Sequence, residues 1–345
     1  MEPTYENVIG RSEILLEVSN TLSGILRSEK ILLTGAGGSI GSRLALEISK
    51  FPELSLIATD RDENSLHSLS LQIMGTALFN SSQFRVLDVR DEIGVDNIIR
   101  DYKPTMIIHS AALKHLAILE RQPREAFLTN VLGTKNLLDS ATRYGVQRFL
   151  NISTDKAASP TSILGKTKYL AEILTVSKRR NGFSQYTNVR FGNVFNSKGS
   201  VIETFSQQIN LGLPITLTDP LVQRYFMKIE EAASLSLMAA ALNAGDVHIL
   251  EMGVPVKIMD VIIRLQTILN GNSVIEIVGL RKGEKLTEEL WSPDEKIVNT
   301  ENPRIKALNL SVKEDFVFPQ LIDVSSDNEA ITMIQKALSE IHATF

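Results

Sequence analysis

The feature that most constrains this chain is a short apolar strand running directly into a glycine-rich turn and then a helix. Ile31-Leu32-Leu33-Thr34 lead into Gly35-Ala36-Gly37-Gly38-Ser39-Ile40-Gly41. In this context Gly35 permits a tight turn, and Gly37 and Gly38 let backbone N–H groups approach a pyrophosphate. Gly41 lets the helix pack closely on the strand. Ser39 and Ile40 open that helix and join the cofactor-contact candidates. Asp60 closes the next apolar strand roughly 20 residues on, where a carboxylate accepts hydrogen bonds from the ribose hydroxyls of a bound dinucleotide. The same charge repels a 2′-phosphate and favours NAD. Adjacent Arg61 offsets part of that repulsion, so NADP stays open as the less favoured cofactor.

From residue 30 onward, β-type runs alternate with amphipathic stretches. The runs are Ile31 to Thr34, Leu54 to Thr59, Phe84 to Leu87, Thr105 to His109, Phe149 to Ile152 and Thr187 to Phe191. Ile40 to Lys50 and Glu125 to Tyr144 repeat apolar residues at helical spacing. Such alternation specifies an α/β class: a Rossmann-like, doubly wound parallel sheet with helices on both faces. After about residue 195 the rhythm changes. Strand-like Pro214 to Leu217 and Val247 to Met252 are separated by helix-like Ile229 to Leu242 and Ile258 to Leu269. We therefore expect a helical lead-in over 1–29, a cofactor domain over 30–195, and a smaller substrate-binding lobe over 196–345. Some of the last segment should return to the Rossmann core, and Ser326 to His342 should form a closing helix.

Composition narrows the chemistry. The 345 residues are 43% hydrophobic, enough for a full core without staples. There is no cysteine, which excludes thiol catalysis, cysteine-ligated metal and a disulfide framework, and five scattered histidines leave no metal site to expect. The net charge of −4 with dispersed Lys and Arg gives no nucleic-acid footprint. The opening MEPTYENVIG lacks a charged start followed by an apolar run, and no stretch of about 18 apolar residues occurs. The expectation is a cytoplasmic protein with no membrane segment in this chain.

Further motifs follow in order: Asp88-Val89-Arg90-Asp91, His109 to His115 (HSAALKH), Thr129 to Thr134 (TNVLGT), Ser153 to Lys168 (STDKAASPTSILGKTK) and RFGNV from Arg190. RYFM from Arg224, MGVPVK from Met252 and GLRKGEK from Gly279 complete the set. Over about residues 8 to 310, their order and spacing resemble the polysaccharide-biosynthesis branch of extended short-chain dehydrogenases/reductases. That branch contains the UDP-N-acetylglucosamine 4,6-dehydratases. By this resemblance, Asp88 and Val89 hold the adenine, Ala111 and Ala112 line the cofactor channel, and Lys168 binds the nicotinamide ribose. The resemblance also implies a UDP-sugar as substrate and self-association into a homo-oligomer.

Dehydrogenase/reductases usually pair a tyrosine with a lysine four residues later on one helical face. Here that spacing gives Leu164 and Lys168, and leucine moves no proton. In the retaining 4,6-dehydratase branch an apolar methionine typically stands there, so Leu164 points the same way while departing in detail. Thr154-Asp155-Lys156 lies past a strand's carboxyl end, where open α/β sheets build their crevice. The resemblance assigns Lys156 to the C5 proton, Asp155 to protonation of the departing C6 hydroxyl, and Thr154 to the C4 oxygen. The group that takes the C4 hydroxyl proton is left unassigned.

By their motifs, Arg224 and Arg281 are the diphosphate clamps, Glu284 the ribose acceptor and Asn193 a donor near the pyrophosphate. Lys114 and His115 border the sugar. Two other readings stand beside the dehydratase: a UDP-sugar C4 epimerase or dehydrogenase on the same fold, and an NAD-binding regulatory protein without turnover.

Overall fold

The computed structural model describes residues 2–11, 26, 28–76, 82–180, 185–242, 244–311 and 324–342. Six strands alternate with helices as the sequence pattern demands: β1 (Lys30–Thr34), β2 (Ser55–Asp60), β3 (Phe84–Val86), β4 (Met106–His109), β5 (Arg148–Ile152) and β6 (Gln185–Arg190). Every residue of β4, and all of β1 after Lys30, is buried, as expected of central parallel strands covered on both faces.

The second half of the chain adds short pairs before it returns to the large sheet. β7 (Asn193–Val194) pairs with β10 (Phe226–Met227), β8 (Ile215–Leu217) with β13 (Ile275–Ile277), and β9 (Gln223–Arg224) with β12 (Val256–Lys257). β11 (Val247–Leu250) joins β6 in parallel, and β15 (Ile305–Leu308) and β14 (Ile297–Asn299) extend the edge antiparallel. The nine-stranded order is β14-β15-β11-β6-β5-β4-β1-β2-β3. Between β1 and β4 the strand order reverses, so the loops after these strands diverge and leave a crevice at their carboxyl ends.

Most expected elements end within a few residues of their observed bounds. Helices cover Ser39–Ile48, Ile229–Ala239, Ile258–Ile268 and Asp327–His342. The long helix expected over Glu125 to Tyr144 is instead a composite: Pro123–Ala126, a π-helical stretch Phe127–Leu132, then Gly133–Arg143. Of the lead-in, Tyr5–Ile9 is helical, capped by Thr4 and ended by Gly10 in the left-handed region. Residues 12–25 and 27 lie outside the described residues.

Two hydrophobic cores result. The large one lies on both faces of the nine-stranded sheet. The small one gathers Ile202, Phe205, Phe226, Ile258 and Leu265 with Tyr5, Val8 and Ile9 from the lead-in helix. Tyr5 also donates its hydroxyl to the Phe226 carbonyl at 3.0 Å. The cleft runs between these two cores.

Candidate active site

A cleft of about 620 Å³ opens at the switch point, lined from one core by the glycine turn and from the other by residues after β6. Gly35 has φ +70°, and a Cβ there would sit 2.5 Å from the backbone nitrogen of Ala111. The turn therefore touches the loop after β4. A Cβ on Gly41 would lie 2.0 Å from the Gly35 carbonyl oxygen, so only glycine allows the helix to start where it does. Gly38 caps that helix without a side-chain hydrogen bond, and Gly38, Ser39 and Ile40 line the cleft. Uncapped N–H groups at the start of a ten-residue helix suit a pyrophosphate.

Asp60 Oδ2 accepts the Gly37 N–H at 2.9 Å, and its Oδ1 accepts that of Asp62 at 3.0 Å. The carboxylate thus orders the loop that would meet a dinucleotide, with exposed Arg61 next to it. Ala112 lines the cleft, and Ala111 packs on the turn. Asp88 lies away from the cleft lining, gripped by Arg90 through Nε and Nη2. Burial opposes ionisation of Asp88, but the Arg90 guanidinium and backbone N–H outweigh it and hold the carboxyl below its ordinary range. Val89 is buried against Gly133, and its carbonyl accepts from Asn136.

The reactive groups converge at the ends of β5 and β6. Thr154 Oγ1 and Lys156 Nζ both donate to Asp155 Oδ1 at 2.9 Å. Asp155 is buried, and among the described residues its Oδ2 has no hydrogen-bond partner. Thr154, Lys156, Leu164 and Lys168 all line the cleft. The helix Ile163–Arg180 that carries the last two is clamped to β6 by a buried ion pair. There Arg190 reaches Glu172 at 2.9 and 2.7 Å, and Ser153 donates to the same carboxylate at 2.5 Å. Lys168 is buried, donates to the Ile152 carbonyl at 2.6 Å, and burial pushes its pKa down to about 8. Leu164 is an apolar wall beside it.

At the opposite end, Arg224 is buried and Glu284 ties the motifs together. Glu284 Oε1 accepts from Thr218 at 3.0 Å and from Arg224 at 3.3 Å, while Oε2 accepts the Arg281 backbone N–H at 3.2 Å. Arg281 and Asn193 complete this wall. His115 stands at the N-cap of Leu116–Leu119 without making a cap hydrogen bond, and its ring lies over Gly199. Burial, then the Lys114 charge, push its pKa down. Lys114 itself is pushed down by burial and donates to the Lys198 carbonyl at 2.6 Å.

Two cleft residues escape a reading of the sequence. Lys198 crosses from the second core onto the glycine turn, donating Nζ to the Gly37 carbonyl at 3.1 Å and N–H to Ser39 Oγ at 3.0 Å. Glu288 is buried in the cleft wall, 3.9 Å from Lys156 Nζ. Nearness to the GLRKGEK motif is the only sequence signal for Glu288, and it marks no chemistry by itself. Among the described residues no group of three or more acidic or histidine side chains converges as a metal site, and no helix is long and apolar enough to cross a membrane.

Known proteins are similar to this chain. Residues 31–310 match the family described as polysaccharide biosynthesis protein. The capsular polysaccharide biosynthesis protein CapD of Staphylococcus aureus is 41% identical, over 84% of this chain and 49% of its own length. The chain spans about half the length of the first curated relatives it matches. A Campylobacter jejuni UDP-N-acetylglucosamine 4,6-dehydratase (inverting) is 30% identical, over 88% of this chain and 87% of that protein. A UDP-glucose 4-epimerase of Rickettsia rickettsii is 32% identical over 77% and 78%. Among solved structures, Pen from Bacillus thuringiensis superposes with a TM-score of 0.73 at 30% identity, covering 82% of this chain and 89% of that one. The family match spans the glycine turn, the cleft and the returning strands β14 and β15, and the chain belongs to the polysaccharide biosynthesis protein family of extended short-chain dehydrogenases/reductases.

Proposed function

We propose that this chain is an NAD-dependent 4,6-dehydratase of UDP-N-acetylglucosamine, yielding a UDP-4-keto-6-deoxy sugar for surface polysaccharide or glycan synthesis. The observation that carries this reading is Leu164 in the cleft lining together with Thr154, Lys156 and Lys168, and buried Asp155 bonded to Thr154 and Lys156. Epimerases and simple dehydrogenases of this fold usually carry a proton-transferring tyrosine four residues before the lysine, where Leu164 stands, so Leu164 weighs against both. A cleft built for elimination needs an acid and a base side by side, and Asp155 and Lys156 supply them.

The residues fit NAD. The uncapped helix start, the close approach enforced at Gly35 and Gly41, and the Asp60 carboxylate at the loop's edge would hold its pyrophosphate and adenosine ribose. When bound, the cofactor supplies a reversible two-electron acceptor at C4 of the sugar. The chain's own groups then act on protons and charge. Thr154, whose hydroxyl points at Asp155 Oδ1 here, would turn that proton toward the C4 oxygen, and the ketone formed there acidifies C5. Lys156 removes the C5 proton, and Asp155, whose Oδ2 is free of donors, protonates the C6 hydroxyl so that it departs as water. Lys168 presents an ammonium to the nicotinamide ribose from a buried position. Arg224 and Arg281 face the UDP diphosphate, with Asn193, Lys114 and His115 along the path to the sugar and Glu284 toward the uridine ribose.

The relatives named UDP-glucose 4-epimerase favour a second reading, C4 epimerisation, and one assay separates the two. The protein with NAD is incubated with UDP-N-acetylglucosamine, and the nucleotide sugar is followed by mass spectrometry. Loss of one water with no net cofactor reduction is expected. A product of unchanged mass with inverted C4 establishes the epimerase instead.

A further inference from the structure

We infer that Glu288 is the base that takes the C4 hydroxyl proton, in the role Leu164 leaves vacant, and that Lys156 passes this proton on to Asp155. The inference rests on the dehydratase reading.

Three observations lead to it. Glu288 is 3% exposed, lines the cleft, and among the described residues no hydrogen bond reaches its carboxylate. A buried carboxylate without donors is costly, and such groups concentrate where proton transfer is needed. Glu288 Oε1 lies 3.9 Å from Lys156 Nζ, and Lys156 Nζ lies 2.9 Å from Asp155 Oδ1, so one amine bridges two carboxyl groups. Burial pushes the Glu288 pKa up. The charges facing it are Lys156, Arg224 and Lys285, which oppose that shift, and Asp155, which adds to it. The result is a carboxylate that binds a proton more readily than an exposed one.

The proton count of the reaction requires such a link. With NAD bound as the two-electron acceptor, oxidation at C4 would release the hydroxyl proton, which Glu288 would accept. Elimination breaks the C5–H bond onto the Lys156 amine and the C6–O bond onto the Asp155 proton, releasing water. Hydride returns to C6, and Lys156 returns its proton to C5. At that point Glu288 holds one proton too many and Asp155 one too few. The Lys156 amine takes the first and delivers it to the second, which restores the starting state without bulk solvent.

The test uses E288Q, E288D and D155N in the full chain with NAD and UDP-N-acetylglucosamine. E288Q should slow both the appearance of reduced cofactor and the loss of water by about 10²- to 10⁴-fold, with NAD and UDP affinities and thermal unfolding unchanged. E288D, a shorter carboxylate, should retain part of the rate. D155N should let reduced cofactor form yet stop water loss. The wild-type rate should fall as pH drops through the raised Glu288 range, and E288Q should lack that limb. An infrared pH titration of the NAD-bound protein, which needs no turnover, should show a protonated-carboxyl band above the ordinary carboxylate range that E288Q removes. Wild-type turnover in E288Q with the same pH profile, or identical infrared titrations, would overturn the relay and leave the dehydratase reading standing. A wild-type protein that binds NAD and never dehydrates the sugar would overturn both.

Discussion

Asp60 shows how one carboxylate serves both loop order and ligand choice. It receives the Gly37 and Asp62 N–H groups here, and the proposed reading has the same oxygens accept from an adenosine ribose. Asp60→Ala should therefore weaken NAD by about 10- to 100-fold, the worth of one or two charge-assisted hydrogen bonds, as measured by calorimetric titration. Unchanged affinity would remove Asp60 from the cofactor site. Leu164 is proposed to act only as an apolar wall. A near-isosteric Leu164→Met should cost under about 1.5 kcal/mol in stability and leave turnover intact, whereas a fall of tenfold or more in a stability-matched assay would show a shape requirement at this position. Thr154 and Lys168 are legible in the sequence as cleft residues because their neighbours along the chain mark a strand's carboxyl end and the helix that follows it. Glu288 is not: what singles it out is Lys156 across the cleft, and that proximity exists only after folding.

At the scale of elements, the strand, turn and helix from Lys30 to Ile48 are legible because each local signal agrees with the next. Their junction is also where a single methyl group does most damage. Gly41→Ala would drive a Cβ into the Gly35 carbonyl at 2.0 Å, so the helix start must shift. The expected outcome is a loss of about 2 kcal/mol or more in denaturant unfolding together with loss of NAD binding; a Gly41→Ala protein that retained both would contradict the packing described. The sequence pattern is weaker elsewhere. Helical spacing over Glu125 to Tyr144 does not distinguish an α-helix from one interrupted by a π-turn, which here presents Asn130 to bond the Leu113 backbone and Thr167. β14 escapes the pattern because its three residues are only partly covered and carry no clear alternation.

Across the whole molecule, two cores meet at one cleft, and two buried histidines lie in the large sheet. His109 sits between Thr34 and Thr134, and burial pushes its pKa down to about 3. His248 bonds Thr187, and burial, aided by Arg179, pushes it down to about 4. The unfolded chain protonates both near 6.5, so their contribution is intact at neutral pH and is lost as pH falls from about 6.5 toward 3 to 4. At pH 5 each should cost about 2 kcal/mol. Thermal unfolding of His109→Gln between pH 7 and 5 should show a shallower slope than the wild type; equal slopes would mean that this histidine is protonated in the folded protein.

In the proposed reaction, one cleft oxidises C4 of the sugar and delivers the same hydrogen to C6. UDP-N-acetylglucosamine carrying deuterium at C4 tests it most directly, with the product read by NMR. Deuterium at C6 of a 4-keto-6-deoxy sugar is the predicted result; deuterium still at C4, on a sugar of unchanged mass and inverted hydroxyl, would contradict it.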